Sequence, residues 1–412
     1  MILPIIMLVV LAASASADAA PTHAKIQPIV GEYKRVTVQD GDTLFSIARA
    51  HDVGVPNLAR LNMLPGNSVQ PGDTLLLPVR HILPRHPGNA IVLNVPERRL
   101  YLFRDGKLVQ RHAVAVGRPG WETVRGVFKI RNRVTNPTWS PPESMVEREG
   151  IRDEPVPPGP ENPLGDRWIG WSASGFGFHS TNAPRSVGRA VSHGCVRLYP
   201  DQADRLFKAT YVGMAIYSVY EPIKLGRWHG MYYLSASPDI YGTGQESLDH
   251  ARAMLRSVGL LPLVDPATLK RVVRLKRSYP ERIAGSPERI LVNGATVDTS
   301  IAPALVSGHW VVPVRAVAQA LGGTVHAERG GATRVVAPTG TLTLAAGRSL
   351  AFLGDRELEM PVPATLVEGR LLAALRPLIE RFGASYERRK NAAILLRTGQ
   401  SARAQSTPWA AH

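Results

Sequence analysis

A single cysteine, Cys195, lies sixteen residues after His179 and two after His193, within Ser192-His193-Gly194-Cys195-Val196-Arg197-Leu198. A thiol with an ordinary pKa near 8.5 is only a few per cent thiolate at neutral pH, and an imidazole that takes its proton is the usual remedy. Lowering that pKa by two units requires about 2.7 kcal/mol of differential stabilisation, which one imidazolium contact can supply. Two histidines compete for the role of base. Residues i and i+2 of a strand share a face but stand about 7 Å apart, so His193 serves only if the bend at Gly194 folds it back. His179 can approach from a neighbouring strand across the 182–188 loop. Gly194 frees the backbone to aim N–H groups at a developing oxyanion, as acyl transfer requires. Arg197, on the face of the cysteine, is suited to hold a substrate carboxylate. Other schemes fit less well: Gly170-Trp171-Ser172-Ala173-Ser174-Gly175 misses a G-x-S-x-G elbow by one position, and no HExxH occurs.

These side chains need a frame, and the 412-residue chain, 44% apolar and 20% charged, is long enough for several domains. Ile91-Val92-Leu93-Asn94-Val95, Leu100-Tyr101-Leu102-Phe103 and the near-alternating run from Leu108 to Val116 read as strands, so a β-rich domain over 89–221 carries the thiol. Before it, a unit over 34–79 reads strand, helix, helix, strand. Thr43 caps its first helix with Ser46 three residues on, and Leu44, Ile47 and Ala48 are spaced to face the sheet. Pro- and His-containing residues 83–88 break helix and strand alike and are expected to act as a short semi-rigid spacer. Residues 222–286 read as a connector with two helices, one ended by Gly259 and one opened by Asp265-Pro266, the second running into a basic stretch. Over 287–397, Gly308, Arg315 and Gly322 recur as Gly369, Arg376 and Gly383, which marks two copies of one α+β unit, followed by a tail over 398–412.

Residues 1–13 are apolar but too few to span a bilayer, and small residues follow them. This reads as a signal peptide over 1–20, with no stable membrane span after cleavage. In an exported chain, one cysteine and no disulfide framework leave either a buried apolar residue or a thiol retained for chemistry. The chain carries 49 basic and 33 acidic residues, a net +16, and from Lys270 onward 20 basic face 10 acidic. Without an aromatic-studded basic motif, this favours a polyanionic envelope surface over nucleic acid. His309 and His326 lack the clustered partners that a metal site needs. No metal and no cofactor are expected, and the chain is expected to be a monomer.

His179-Ser180-Thr181-Asn182-Ala183-Pro184 together with Ser192-His193-Gly194-Cys195-Val196-Arg197 resembles the signature of the L,D-transpeptidases, the YkuD-type catalytic domain. Gly126-Val127-Phe128-Lys129-Ile130, Asn136-Pro137-Thr138-Trp139 and Asn162-Pro163-Leu164-Gly165 extend the likeness. The resemblance implies a mainly β fold and a cysteine acyl-enzyme acting on peptidoglycan stem peptides. Cys195 would be the nucleophile and His179 its base. Ser180, Ser192, His193 and Gly194 would be orienting or oxyanion-turn residues, and Arg197 a substrate contact. Two departures stand out: Ser180 replaces the usual glycine, and Thr123-Val124 the usual Thr-Pro. Val38-Gln39-Asp40-Gly41-Asp42-Thr43-Leu44, Leu61-Asn62 and Gln70-Pro71-Gly72-Asp73 resemble a LysM repeat. That likeness implies a glycan groove with Asp42, Thr43, Leu44 and the 64–66 loop near the sugar. Asn293-Gly294 with Gly308 to Arg315 resembles the copper amine oxidase N-terminal domain, a name that implies no copper here. The fold expectation is therefore multidomain: a mainly β catalytic domain between a small βααβ LysM domain and a C-terminal α+β repeat. The functional expectation is a secreted, wall-associated cross-linking enzyme that releases D-Ala and passes the acyl group to an amine. The alternatives are an L,D-carboxypeptidase, with water as acceptor, and a non-catalytic wall-binding adaptor.

Overall fold

The computed structural model describes residues 26–85, 88–389 and 393–398. The expected signal segment lies outside them, as does the tail beyond Thr398. Among the described residues no helix is long and apolar enough to cross a membrane.

The thiol-bearing domain is built on an eight-stranded sheet. Its strand order is Val196–Arg197, Gly177–His179, Arg167–Trp171, Gly126–Thr135, Ala215–Val219, Ala90–Asn94, Arg99–Arg104, Lys107–Ala113. Ala90–Asn94 is apolar through Leu93 and buried along its whole length, with a parallel strand on one edge and an antiparallel one on the other. Ile91, Leu93, Leu100, Ile169, Trp171, Phe178 and Val196 pack with Leu206 of the helix Pro200–Ala209 into one core. That core lies under the edge of the sheet that carries the chemistry. Each fully buried Phe or Leu contributes roughly 1.5–3 kcal/mol, so the strand bearing His179 is anchored through Phe178 beside it.

The reading of 222–286 as a connector is corrected. Ile223–Trp228, Met231–Ala236 and Glu281–Ala284 form a five-stranded sheet with Gln27–Val30 and His81–Ile82, strands from either side of the LysM unit. The helices Leu248–Ser257 and Pro266–Leu275 bury Ala251, Leu255, Leu269, Val272 and Val273 against it. The basic helix therefore has an apolar face committed to a core rather than to a surface. Lys224 and Glu97, both nearly inaccessible, pair at 2.6 Å where this sheet meets the catalytic one.

The LysM unit pairs Lys34–Thr37 antiparallel with Thr74–Leu77 and carries the helices Leu44–Ala50 and Val55–Leu61. The cap is as expected: the Thr43 hydroxyl accepts from Ser46 N, and the Ser46 hydroxyl accepts from Thr43 N. The expected tether is also corrected, because the unit docks directly on the catalytic domain. Asp52 accepts from Ala113 N at 2.8 Å and pairs with His112 at 3.2 Å, Arg98 donates to Asn57 Oδ1 at 2.8 Å, and Arg49 pairs with Asp201. Gly54 and Gly188 approach so closely that a Cβ on Gly188 would sit 2.4 Å from the Gly54 Cα. At the C-terminal end the strands His309–Pro313 and Arg370–Ala374 of the two repeat copies pair antiparallel, each running into its helix, Val314–Ala320 and Leu375–Ile379.

Candidate active site

Cys195 ends a tight turn at the sheet edge, and the strand that follows it, Val196–Arg197, runs parallel to Gly177–His179 with His179 opposite Arg197. Register therefore does what sequence spacing could not: it sets His179 diagonally across from Cys195 on one face. Gly177 is small because Trp168 of the adjoining strand lies across it; a Cβ there would meet the indole at 2.5 Å. The Trp168 ring stands 6.0 Å from the His179 ring.

His179 is 4% exposed, and its Nδ1–H donates to the Ser180 carbonyl at 2.6 Å. This bond leaves Nε2 as the lone-pair nitrogen. Ser180 thus orients the ring through its carbonyl. Its side chain instead packs on Gly165, where a Cβ would lie 2.7 Å from the Ser180 Cβ and Oγ. Burial, reinforced by the nearby Arg197 charge, pushes the imidazole down to about 3. Burial pushes the Cys195 thiol up to about 11, against the opposing pull of the Gly177 N–H and Arg197. The resting thiol donates to the Gly175 carbonyl at 3.2 Å. Both shifts favour a neutral thiol beside a neutral imidazole over the ion pair considered from sequence. Arg197 lies beside both groups, and its buried Nε has no partner among the described residues.

The turn is held by side chains on both flanks. The Ser192 hydroxyl donates to the Cys195 carbonyl at 2.5 Å and accepts from Gly194 N at 3.3 Å. Gly194 has φ +110°, and a Cβ there would meet Phe176 at 2.8 Å, so both conformation and space require glycine. The Thr123 hydroxyl donates to the Gly194 carbonyl at 2.8 Å. His193, expected among the orienting residues, turns outward: its Nε2 meets Glu149 at 2.8 Å, and its ring stands edge-on to Trp121. Glu149 ends the helix Glu143–Glu149, which buries no residue of its own and is also held by Arg118 to Glu149 and by Arg148 over Trp121. Sequence reasoning missed Trp168, Thr123, Trp121 and Glu149. For Thr123 a signal existed, since it heads the segment where the family pattern departs.

The LysM candidates lie on the docked unit, whose Phe45, next to Leu44, packs against Val187 and under Arg185 of the loop between His179 and the cysteine turn. Asp42 and Thr43 stay accessible, with Asp42 accepting from Gln39 N at 3.0 Å and from the Ser46 hydroxyl at 3.1 Å. Leu44 is corrected: at 1% exposure its side chain belongs to the LysM core with Ile47, Leu58 and Leu75. No group of three or more metal-ligating side chains occurs among the described residues.

Residues 88–220 match the family model of the L,D-transpeptidase catalytic domain, residues 36–78 that of the LysM domain, and residues 291–394 that of the copper amine oxidase N-terminal domain. The protein named probable L,D-transpeptidase YcfS, from Escherichia coli strain K12, is 34% identical over 232 residues, covering 53% of this chain and 71% of that protein. The one named probable L,D-transpeptidase YbiS, from the same strain, is 28% identical over 286 residues, covering 66% of this chain and 93% of that protein. The solved catalytic domain of the E. faecium L,D-transpeptidase aligns at 20% identity with a TM-score of 0.26, over 32% of this chain and 96% of that one.

Proposed function

The chain belongs to the L,D-transpeptidase family, and from that premise we propose that it is an exported enzyme that cross-links peptidoglycan through a thioester on Cys195. The observation that carries the reading is the pairing of Val196–Arg197 with Gly177–His179, which brings the thiol and an imidazole whose Nδ1–H is held by the Ser180 carbonyl to one face of a pinned edge. As Cys195 Sγ attacks the carbonyl between the third stem residue and D-Ala, its proton passes to His179 Nε2. The Cys195 N–H faces the developing oxyanion, and His179 returns the proton to the departing D-Ala nitrogen. An amine of a neighbouring stem then attacks the thioester, gives a proton to His179, and leaves an amide cross-link and a free thiol. Arg197, whose charge lies beside both the thiol and the imidazole, holds a stem carboxylate. On the LysM unit, Asp42, Thr43 and the 64–66 loop contact the glycan.

Incubating the purified protein with disaccharide tetrapeptides and resolving the products by mass spectrometry tests this. Cross-linked dimer with loss of D-Ala, absent from Cys195→Ala, is the expected result. Trimmed monomer alone makes water the acceptor, and unchanged substrate makes the chain a wall-binding adaptor.

A further inference from the structure

Tyr241 lies outside the matched catalytic segment, in the stretch that sequence alone reads as connector, yet its hydroxyl reaches the active-site turn. It donates to the Gly117 carbonyl at 2.8 Å and accepts from Thr123 N at 3.0 Å. Thr123 is 1% exposed, and its own hydroxyl accepts from Gly117 N at 2.8 Å while donating to the Gly194 carbonyl at 2.8 Å. The loop between Gly117 and Thr123 is so tight that a Cβ on Gly117 would lie 2.0 Å from the Trp121 carbonyl. Tyr241 is itself braced. Its ring stacks on Tyr220 at 5.6 Å, its N–H donates to the Tyr220 hydroxyl at 2.9 Å, and Asp239 ties down the following turn through Gly244 N at 2.7 Å.

The bond from Thr123 to Gly194 matters because of peptide geometry. In a trans peptide the C=O and the N–H point in opposite directions within one plane. Fixing the Gly194 carbonyl toward Thr123 therefore fixes where the Cys195 N–H points. Gly194, in the positive-φ region, could otherwise rotate that plane at low cost. A preorganised donor aimed at the oxyanion is worth about 10²–10³ in rate, and a misaimed one is worth less.

We propose that Tyr241 and Thr123 form a clamp that holds the Gly194–Cys195 peptide plane, and hence the Cys195 N–H, in the orientation that stabilises the oxyanion. Tyr241 is a positioning residue contributed by the sheet domain that follows the catalytic segment. The role rests on the acyl-enzyme reading above. The clamp touches neither Sγ nor the imidazole, so it should govern acyl transfer without governing the reactivity of the free thiol.

The test uses the full chain as wild type, Tyr241→Phe, Thr123→Val, Thr123→Ser and the Tyr241→Phe/Thr123→Val double variant. Single-turnover thioester formation on a tetrapeptide donor is followed by intact mass, with iodoacetamide alkylation of Cys195 as the parallel readout. Tyr241→Phe keeps the ring stack and should slow acylation about tenfold at saturating donor, with KM and alkylation unchanged. Thr123→Val should slow it about a hundredfold, with Thr123→Ser restoring most of that loss. The double variant should be no slower than Thr123→Val alone, because both act through one bond. Wild-type acylation in Tyr241→Phe, equal losses in acylation and alkylation, or multiplying losses in the double variant would each overturn the clamp. Failure of the wild type itself to acylate, while its thiol still alkylates, would overturn the acyl-enzyme reading instead, and the clamp's role with it.

Discussion

Raising the pH should expose the state of the Cys195 thiol directly, because it is the only cysteine and every alkyl adduct reports on it. Desolvation pushes the partly exposed thiol up to about 11 and the buried imidazole down to about 3, which favours the neutral form of both around neutral pH in the resting enzyme. At pH 7 the thiolate fraction is then about 10⁻⁴, against about 3% for a free thiol of pKa 8.5, and alkylation should run roughly 300-fold slower than for free cysteine. The rate should climb about tenfold per pH unit from 7 to 10 and level off only near 11. His179→Ala removes no cation at these pH values, and any water it admits lowers the desolvation of the thiol, so the curve should stay put or move to lower pH. Arg197→Met should move it upward, since the guanidinium is the nearby charge that favours the thiolate. Iodoacetamide rates from pH 6 to 11, read as singly alkylated intact mass, measure all three curves. A plateau below pH 8, or an upward shift of a unit or more in His179→Ala, would mean a resting thiolate–imidazolium pair and would refute the neutral-pair account.

The same buried imidazole predicts acid lability. Its folded pKa lies below the unfolded value near 6.5, so stability is intact above pH 6.5 and is lost as pH falls toward 3, by up to about 4–5 kcal/mol, a slope that His179→Asn should flatten in urea titrations. Gly188→Val would drive a side chain into the Gly54 backbone and should separate the LysM unit from the catalytic domain, with new protease cleavage around residue 80 and slower turnover even of a short soluble tetrapeptide. Unchanged turnover in that variant would mean the docking has no catalytic consequence. Leu44→Ala should cost about 2–5 kcal/mol of LysM stability by thermal melting, whereas Asp42→Ala should weaken sedimentation with purified sacculi without moving the melt.

The thiol, its candidate bases and the glycine between them were legible in the sequence because they sit within one short stretch whose spacing carries the chemistry. The LysM cap was legible for the same reason: Thr43 and Ser46 exchange bonds three residues apart. The internal repeat showed in matched Gly and Arg positions, and its two strands do pair with each other. What sets His179 and His193 apart is the register of two strands, which brings His179 to the face of Cys195, and Glu149, which holds His193, and both are set by tertiary packing. Leu44 shows the limit of reasoning by resemblance: a position beside a groove can still point its side chain into the core, and only packing decides which. The 222–286 segment was only partly legible: the hairpin of Ile223–Trp228 with Met231–Ala236 across His229-Gly230 was a local signal passed over, whereas the pairing of Ile223–Trp228 with Gln27–Val30, almost 200 residues upstream, leaves none. Tyr241 was invisible for that reason too, since its hydroxyl bonds reach Gly117 and Thr123 across the fold. Protonation states belong to the same class. Spacing can place an imidazole near a thiol, but the desolvation that shifts both comes from distant segments packed around them, most completely around His179.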